Sequence, residues 1–169
     1  MSNRWLRLLR HRLVDEGDAK RRLGAGALQR IEAKVAASER RHSGEIRVCI
    51  EAGLPFGYLR RNATARQRAI ALFGRLGVWD TEYDNGVLIY LLLAEHAIEI
   101  VADRGLNRHV DAAEWAAIAE SMRAAFQGGA FEAGVNLAID AADALLVRHF
   151  AVHPDTANPN ELPDAPVLR

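Results

Sequence analysis

Apolar residues follow two periods along the chain, one typical of helices and one typical of strands. Helical spacing predicts four main helices, which begin near residues 27, 64, 111 and 131. Three shorter apolar stretches predict strands, at residues 45–51, 87–93 and 97–103. The order helix, strand, helix, strand, strand, helix, helix predicts an α/β domain in which helices cover both faces of a small sheet.

The second and third predicted strands are close neighbours in the sequence. Only Glu95 and His96 separate the two apolar runs, which predicts an antiparallel hairpin within a small mixed sheet. With these two residues as the turn, Leu88 lies opposite Asp103. We therefore expect the open end of the hairpin to bring Asp84 close to Asp103.

The two ends of the chain differ from this central part. Residues 4–14 predict a short basic amphipathic helix, which either lies on an anionic membrane surface or docks on its own domain. Residues 17–26 read as a connector, so that residues 1–26 precede a domain at residues 27–150. Clustered prolines predict that residues 151–169 form a disordered tail.

Composition excludes several classes of protein. The 169-residue chain has one cysteine, and Cys49 alone can form neither a disulfide scaffold nor a thiolate-cluster metal site. The longest apolar run, residues 87–94, is far shorter than the ~20 residues that a membrane-spanning helix needs. A secretory signal has an uninterrupted apolar core, whereas arginines interrupt the apolar residues at this N-terminus. We expect a cytoplasmic protein, peripheral at the inner membrane face if its N-terminal helix binds lipid.

The net charge of zero hides an asymmetry between the two halves. Residues 1–76 contain 17 basic and 7 acidic residues, whereas residues 77–169 contain 5 and 15. The basic half could bind an anionic surface, and the acidic half could bind a cation. Alternatively, the two halves interleave in one fold and neutralise each other's charge. The sequence has neither zinc-finger spacing nor an RNA-binding aromatic signature, so we expect no nucleic-acid partner.

Acidic residues surround the open end of the predicted hairpin. Asp84 precedes the second strand and Asp103 ends the third. Asp80 lies a few residues upstream, and Asp111 lies at the start of the next helix. Crowded carboxylates repel one another, and a hard divalent cation, Ca²⁺ or Mg²⁺, relieves that repulsion. The same residues also suit turns and helix caps, where aspartate accepts backbone N–H bonds. A cation site and a set of turn and cap residues are therefore alternative interpretations.

Three separated segments carry a resemblance to a known family. They are Asp84–Tyr90, Glu99–Gly105 and Phe126–Val135, accompanied by Trp115 and a closing His149-Phe150 pair. In this order they resemble the TPM domain family over about residues 27–150. The resemblance implies a three-layer α/β/α sandwich. In some members it also implies a bound divalent cation and phosphatase activity at an acidic cluster.

Carried over residue by residue, the resemblance implies metal ligands at Asp80, Asp84 and Asp103. The chain departs from many members because it shows no export signal or C-terminal membrane anchor, and it reads Asp103-Arg104-Gly105 where others are glycine-rich. It resembles the short bacterial members, which are often similar to proteins encoded beside a LemA-type membrane protein. The resemblance therefore implies a membrane-associated partner of that type.

Two functions remain as alternatives. As a binding module, the domain would hold a cation at the acidic end while the N-terminal helix or the loop at residues 56–61 engages a partner at the membrane. As an enzyme, it would hydrolyse phosphoesters with the cation, with Asp84 and Arg104 as catalytic residues and Arg104 stabilising anionic charge. No covalent-phosphatase signature is present in the sequence. We expect the binding module, because fold alone does not guarantee chemistry.

Overall fold

The structure of the protein is a computed structural model that describes residues 2–152 and 159–169, without the side chains of residues 2–4 and 112. The elements in chain order are α1 (Ser2–Leu13), α2 (Glu16–Leu23), α3 (Ala27–Glu39), β1 (Ile46–Glu51), α4 (Phe56–Arg60), α5 (Ala65–Arg75), β2 (Val87–Leu92), β3 (Ala97–Ala102), α6 (Arg104–Asn107), α7 (Ala112–Gln127), α8 (Phe131–Phe150) and β4 (Val167–Leu168).

The four strands form one mixed sheet in the order β3-β2-β1-β4. β1 runs parallel to β2 and to β4, whereas β3 is antiparallel to β2. α3 and α8 pack on one face through Ile31 and Ile139, and α5 packs on the other through Ala69 and Leu72. All six residues of β2 are buried, as expected for a strand covered on both faces. The predicted α/β/α sandwich is thus confirmed.

The hairpin of β2 and β3 is present, but its register differs from the expectation by two residues. Leu88 pairs with Val101, not with Asp103. Asp103 instead lies at the level of Gly86, whose carbonyl accepts the Asp103 N–H at 2.9 Å. At the acidic end of the hairpin, each residue of β2 therefore lies opposite a residue two positions earlier in the chain than the two-residue turn predicted.

The cause of this shift is a longer connection between the strands. Leu93–Glu95 form a 3₁₀ turn, and His96 closes it with a left-handed backbone (φ 49°). Leu93 is nevertheless fully buried. Because burial continues past the end of the strand, the apolar run did not reveal where β2 ends.

The C-terminal segment also differs from the expectation. Residues 159–169 run along the outer edge of β1 and end in β4, where the Arg169 N–H donates to Ile50 O at 2.9 Å and the Ala52 N–H donates to Arg169 O at 2.7 Å. The carboxylate of Glu45 accepts two further backbone N–H groups of the segment. A disordered tail is therefore wrong for residues 159–169, while residues 153–158 lie outside the described part of the chain.

Two segments expected to be irregular contain short helices. The connector at residues 17–26 is largely α2, whose N-cap Asp15 forms a capping box with Asp18. The loop after β1 contains α4. Among the described residues, no helix combines the length and the apolar character that a membrane span requires.

Candidate functional site

The open end of the β2–β3 hairpin brings Asp84 and Arg104 together. Asp84 precedes β2 with a left-handed backbone (φ 52°), and its carbonyl accepts the N–H of Gly105 at 2.8 Å. A Cβ atom on Gly105 would lie 2.5 Å from the carbonyl oxygens of both Tyr83 and Asp84. Only glycine therefore allows α6 to approach this turn so closely.

The side chains of Asp84 and Arg104 form a two-point ion pair. Nε of Arg104 lies 2.9 Å from Oδ2 of Asp84, and Nη2 lies 3.3 Å from Oδ1. The hydrogen bond from Arg104 is the largest cause that lowers the pKa of Asp84, and the same bond raises the pKa of Arg104. Asp84 is thus an ionised carboxylate whose two oxygens both face a guanidinium.

The other candidate ligands do not join this pair. Asp103 caps α6, because its Oδ1 accepts the Arg104 N–H at 2.7 Å, while its buried Oδ2 has no hydrogen-bond partner. Asp80 is exposed in the turn after α5. Asp111 caps α7 by accepting the Glu114 N–H at 2.8 Å. For Asp103 and Asp111 the helix-cap interpretation describes the observed hydrogen bonds.

The acidic side chains at this end of the hairpin do not form a divalent-cation site. Across residues 2–152 and 159–169, no three side chains of His, Cys, Asp or Glu are grouped so that they could hold a metal ion. Both oxygens of Asp84 face Arg104, and one oxygen of Asp103 is used as a cap. As these side chains lie, they do not fit Ca²⁺ or Mg²⁺, which need several converging oxygens.

A nucleophilic role for Cys49 is not supported by its surroundings. Its thiol is fully buried in the sheet. Burial raises the pKa of the thiol to about 12, so the reactive thiolate is not populated near neutral pH.

A second feature that sequence reasoning did not resolve is the way α1 docks on the domain. Two of its polar residues face inward: Arg7 Nε donates to Glu95 at 2.6 Å, and the buried His11 contacts the same carboxylate through Nε2 at 2.9 Å. The Leu54 N–H donates to Nδ1 of His11 at 3.0 Å. The helix is thus held by these charged and polar groups together with Leu8, which packs on the core.

The apolar stripe of α1 faces away from the domain. Its four large side chains are exposed: Trp5 by 70%, Leu6 by 58%, Leu9 by 55% and Leu13 by 76%. At 3.6 residues per turn these positions span about 100° of the helix. Arg10 and Arg12 flank the stripe, and residues 1–14 contain no acidic residue. The outward surface of α1 is therefore apolar in its centre and basic at its borders.

Comparison with known proteins identifies the family. The sequence model of the TPM domain matches residues 18–145. The NMR structure of the BA42 protein from the psychrophilic bacterium Bizionia argentinensis is similar, with a TM-score of 0.74 and 27% identity over 86% of this chain and 94% of that chain. Comparison with the curated proteins finds no match. Asp84 and Arg104 lie within the matched residues, whereas α1 precedes them. The match covers most of the sequence, and the chain belongs to the TPM domain family.

Proposed function

We propose that this TPM domain is an interaction module that attaches to an anionic membrane surface through α1. The observation that carries the proposal is the outward apolar stripe of Trp5, Leu6, Leu9 and Leu13 on a helix whose inward face is already satisfied. Contiguous exposed apolar side chains on a soluble domain typically mark an interaction surface. Basic flanks favour a lipid surface that carries negative charge.

The expected energetics suit reversible attachment. Burial of each large apolar side chain in the acyl region contributes roughly 1.5–3 kcal/mol when complete. Each arginine near an anionic surface adds about 1 kcal/mol, a contribution that salt weakens. Arg10 and Arg12 are the basic residues beside the stripe whose side chains have no ion-pair partner in the described structure. Attachment through α1 is therefore expected to depend on both lipid charge and ionic strength.

A module that attaches to anionic lipid in this way would lie at the inner face of the cytoplasmic membrane. There the module would meet a membrane-associated partner of the LemA type that the family resemblance implies. The strand-end turn with Asp84 and Arg104 lies at the other end of β2 from the connection that contains Glu95, the contact of α1, so it would stay away from lipid and accessible to a protein partner. A cation is not required for this role.

Vesicle flotation tests the proposal. The protein should float with vesicles of phosphatidylcholine and phosphatidylglycerol (3:1) and remain at the bottom with phosphatidylcholine alone. Leu9→Glu places a charge in the centre of the stripe and should abolish flotation. Leu137→Glu is the matched control, because Leu137 is also exposed, by 43%, but lies on α8. Equal flotation of the two variants would contradict the proposal.

Cation-dependent phosphoester hydrolysis is the second candidate function. It is favoured by the buried Oδ2 of Asp103, an acceptor without a donor at the same end of the hairpin as Asp84. Asp80, Asp84 and Asp103 would have to converge, which requires Arg104 to release Asp84. Two measurements test it together: a rise in melting temperature with millimolar Ca²⁺ or Mg²⁺, and metal-dependent hydrolysis of an aryl phosphate, both lost in Asp84→Asn.

A further inference from the structure

A second exposed aromatic side chain lies beside α1. Phe56, the first residue of α4, is 69% exposed. It borders a cavity of about 100 Å³ between the two helices, whose lining residues are Arg7, Leu8, Phe56, Leu59, Arg60 and Asn62. The walls of this cavity are mainly apolar, and two consecutive arginines, Arg60 and Arg61, follow Phe56. The exposed surface of α4 therefore resembles that of α1, with an apolar side chain and arginines near it.

Hydrogen bonds on both sides of α4 fix it to α1. Before α4, the Leu54 N–H donates to His11, and a Cβ atom on Gly53 would lie 2.6 Å from the carbonyl oxygen of His11. After α4, Arg7 donates to the side chain of Asn62 at 2.9 Å and to the carbonyl of Ala63 at 2.6 Å. α1 and α4 are therefore held as one unit, with Phe56 at a set position beside the helix.

The charge of this unit is of one sign. Residues 1–14 and 52–79 contain no aspartate or glutamate, so α1, α4 and the segments around them carry only basic charged side chains. The acidic residue that both Arg7 and His11 contact, Glu95, comes from the β2–β3 connection and is engaged by them. A surface of this kind is complementary to anionic phospholipid.

We infer that α1 and α4 form one lipid-docking face, in which Phe56 inserts into the bilayer beside the α1 stripe and Arg60 and Arg61 meet the lipid phosphates. This inference rests on the proposed membrane attachment and adds a second point of insertion to it. A second point of insertion beside the helix restricts tilting of the domain about the helix axis more tightly than the α1 stripe alone. The bilayer would then close the cavity between α1 and α4.

The experiment measures insertion at position 56 directly. The Phe56→Cys variant is labelled with an environment-sensitive NBD group, and Cys49 stays unlabelled because its thiol is buried and its pKa is raised. NBD emission should rise on vesicles of phosphatidylcholine and phosphatidylglycerol (3:1). The same label on Leu137→Cys should show no rise, because α8 packs on the opposite face of the sheet.

A binding measurement separates this inference from the proposed function. Phe56→Ser should weaken vesicle affinity about tenfold, as expected for one partly inserted aromatic side chain, whereas Leu9→Glu abolishes binding. If Leu9→Glu abolishes binding but Phe56→Ser and the label at position 56 show no effect, the two-point face is wrong and attachment through α1 stands. If the unmodified protein binds no anionic vesicle, both are wrong. Unchanged melting temperature of Phe56→Ser confirms that the fold is intact.

Discussion

The guanidinium of Arg104 faces both carboxylate oxygens of Asp84 across the open end of the β2–β3 hairpin, with its Nε 2.9 Å from Oδ2. Asp84 and Arg104, the catalytic residues of the enzyme alternative, thus lie together, but they form an ion pair with each other. The ion pair leaves Asp84 without a free oxygen for a cation. This ion pair is therefore one of the contacts that would have to break before the strand end could hold a cation.

Replacement of Arg104 tests the role of this pair. Arg104→Gln should raise the pKa of Asp84 towards the ordinary carboxylate range, because the hydrogen bond from Arg104 is the largest cause of its lowering. Arg108→Gln is the control, since Arg108 acts on Asp84 only through a smaller, longer-range charge effect. NMR titration of the Asp84 side-chain carboxyl measures both. A larger upward change in the Arg108 variant would contradict the assignment.

A buried ion pair between Glu51 and Arg68 joins β1 to α5. Arg68 donates to both carboxylate oxygens at 2.9 and 2.6 Å, and the hydroxyl of Tyr90 donates to Oε2 at 2.7 Å. Glu51 and Arg68 are only 3% and 4% exposed. Loss of one partner would leave the other charge buried, which is costlier than loss of both.

Arg68→Met should therefore lower the free energy of unfolding by about 3–5 kcal/mol. The double variant Arg68→Met with Glu51→Gln should recover much of that loss, because no buried charge remains. Arg30→Met is the control, since Arg30 is paired with Glu132 but is largely exposed, and it should change the free energy of unfolding far less than Arg68→Met. Chemical denaturation measures all three, and equal losses in the first two variants would contradict the argument.

The layers of the fold could be predicted because each main element carries its own periodicity. The buried run of β2 and the helical spacing of α3, α5, α7 and α8 are local signals, and they suffice for the α/β/α order. β4 has no such signal. It is a two-residue strand whose partners, Cys49 and Ile50, lie more than 110 positions earlier in the chain.

The candidate site could be predicted less completely. The spacing of the strands placed Asp84 and Arg104 at one end of the hairpin, but side-chain pairing depends on the detailed backbone around Gly105. Likewise, the pattern of α1 predicted an amphipathic helix without showing which side faces the domain. That choice depends on Glu95, which meets Arg7 only in the folded chain.

The close approach of Gly105 to the turn before β2 can be tested by adding one methyl group. Gly105→Ala would place a Cβ atom against two backbone carbonyls, so it should destabilise the fold and separate Arg104 from Asp84. Gly74→Ala is the matched control, because nothing lies within 4 Å of its Cβ position near the end of α5. That variant should gain about 0.5–1 kcal/mol. Thermal melts compare the two, and equal effects would contradict the packing argument.

Glu39 at the end of α3 provides the clearest pH dependence. It is 8% exposed, and its Oε1 accepts the N–H of Ile46 at 2.8 Å. Burial is the largest cause that raises its pKa to about 9, and the neighbouring carboxyls of Glu45 and Asp164 raise it further. The folded protein therefore keeps Glu39 protonated at neutral pH.

This protonation makes stability fall with rising pH. Between an unfolded pKa near 4.5 and the folded pKa of about 9, the folded state binds one more proton at Glu39 than the unfolded chain. The contribution is fully present below the lower value and is lost progressively as pH rises through the window, at a rate of at most about 1.4 kcal/mol per pH unit.

Glu39→Gln should remove this dependence, because a neutral amide oxygen can still accept the Ile46 N–H but does not titrate. Denaturant unfolding at intervals from pH 5 to pH 9 should show a variant that becomes increasingly more stable than the unmodified protein as pH rises. Glu32→Gln on the exposed face of the same helix is the control and should follow the unmodified protein. A constant difference between the Glu39→Gln and unmodified curves would mean that Glu39 is ionised in the folded state.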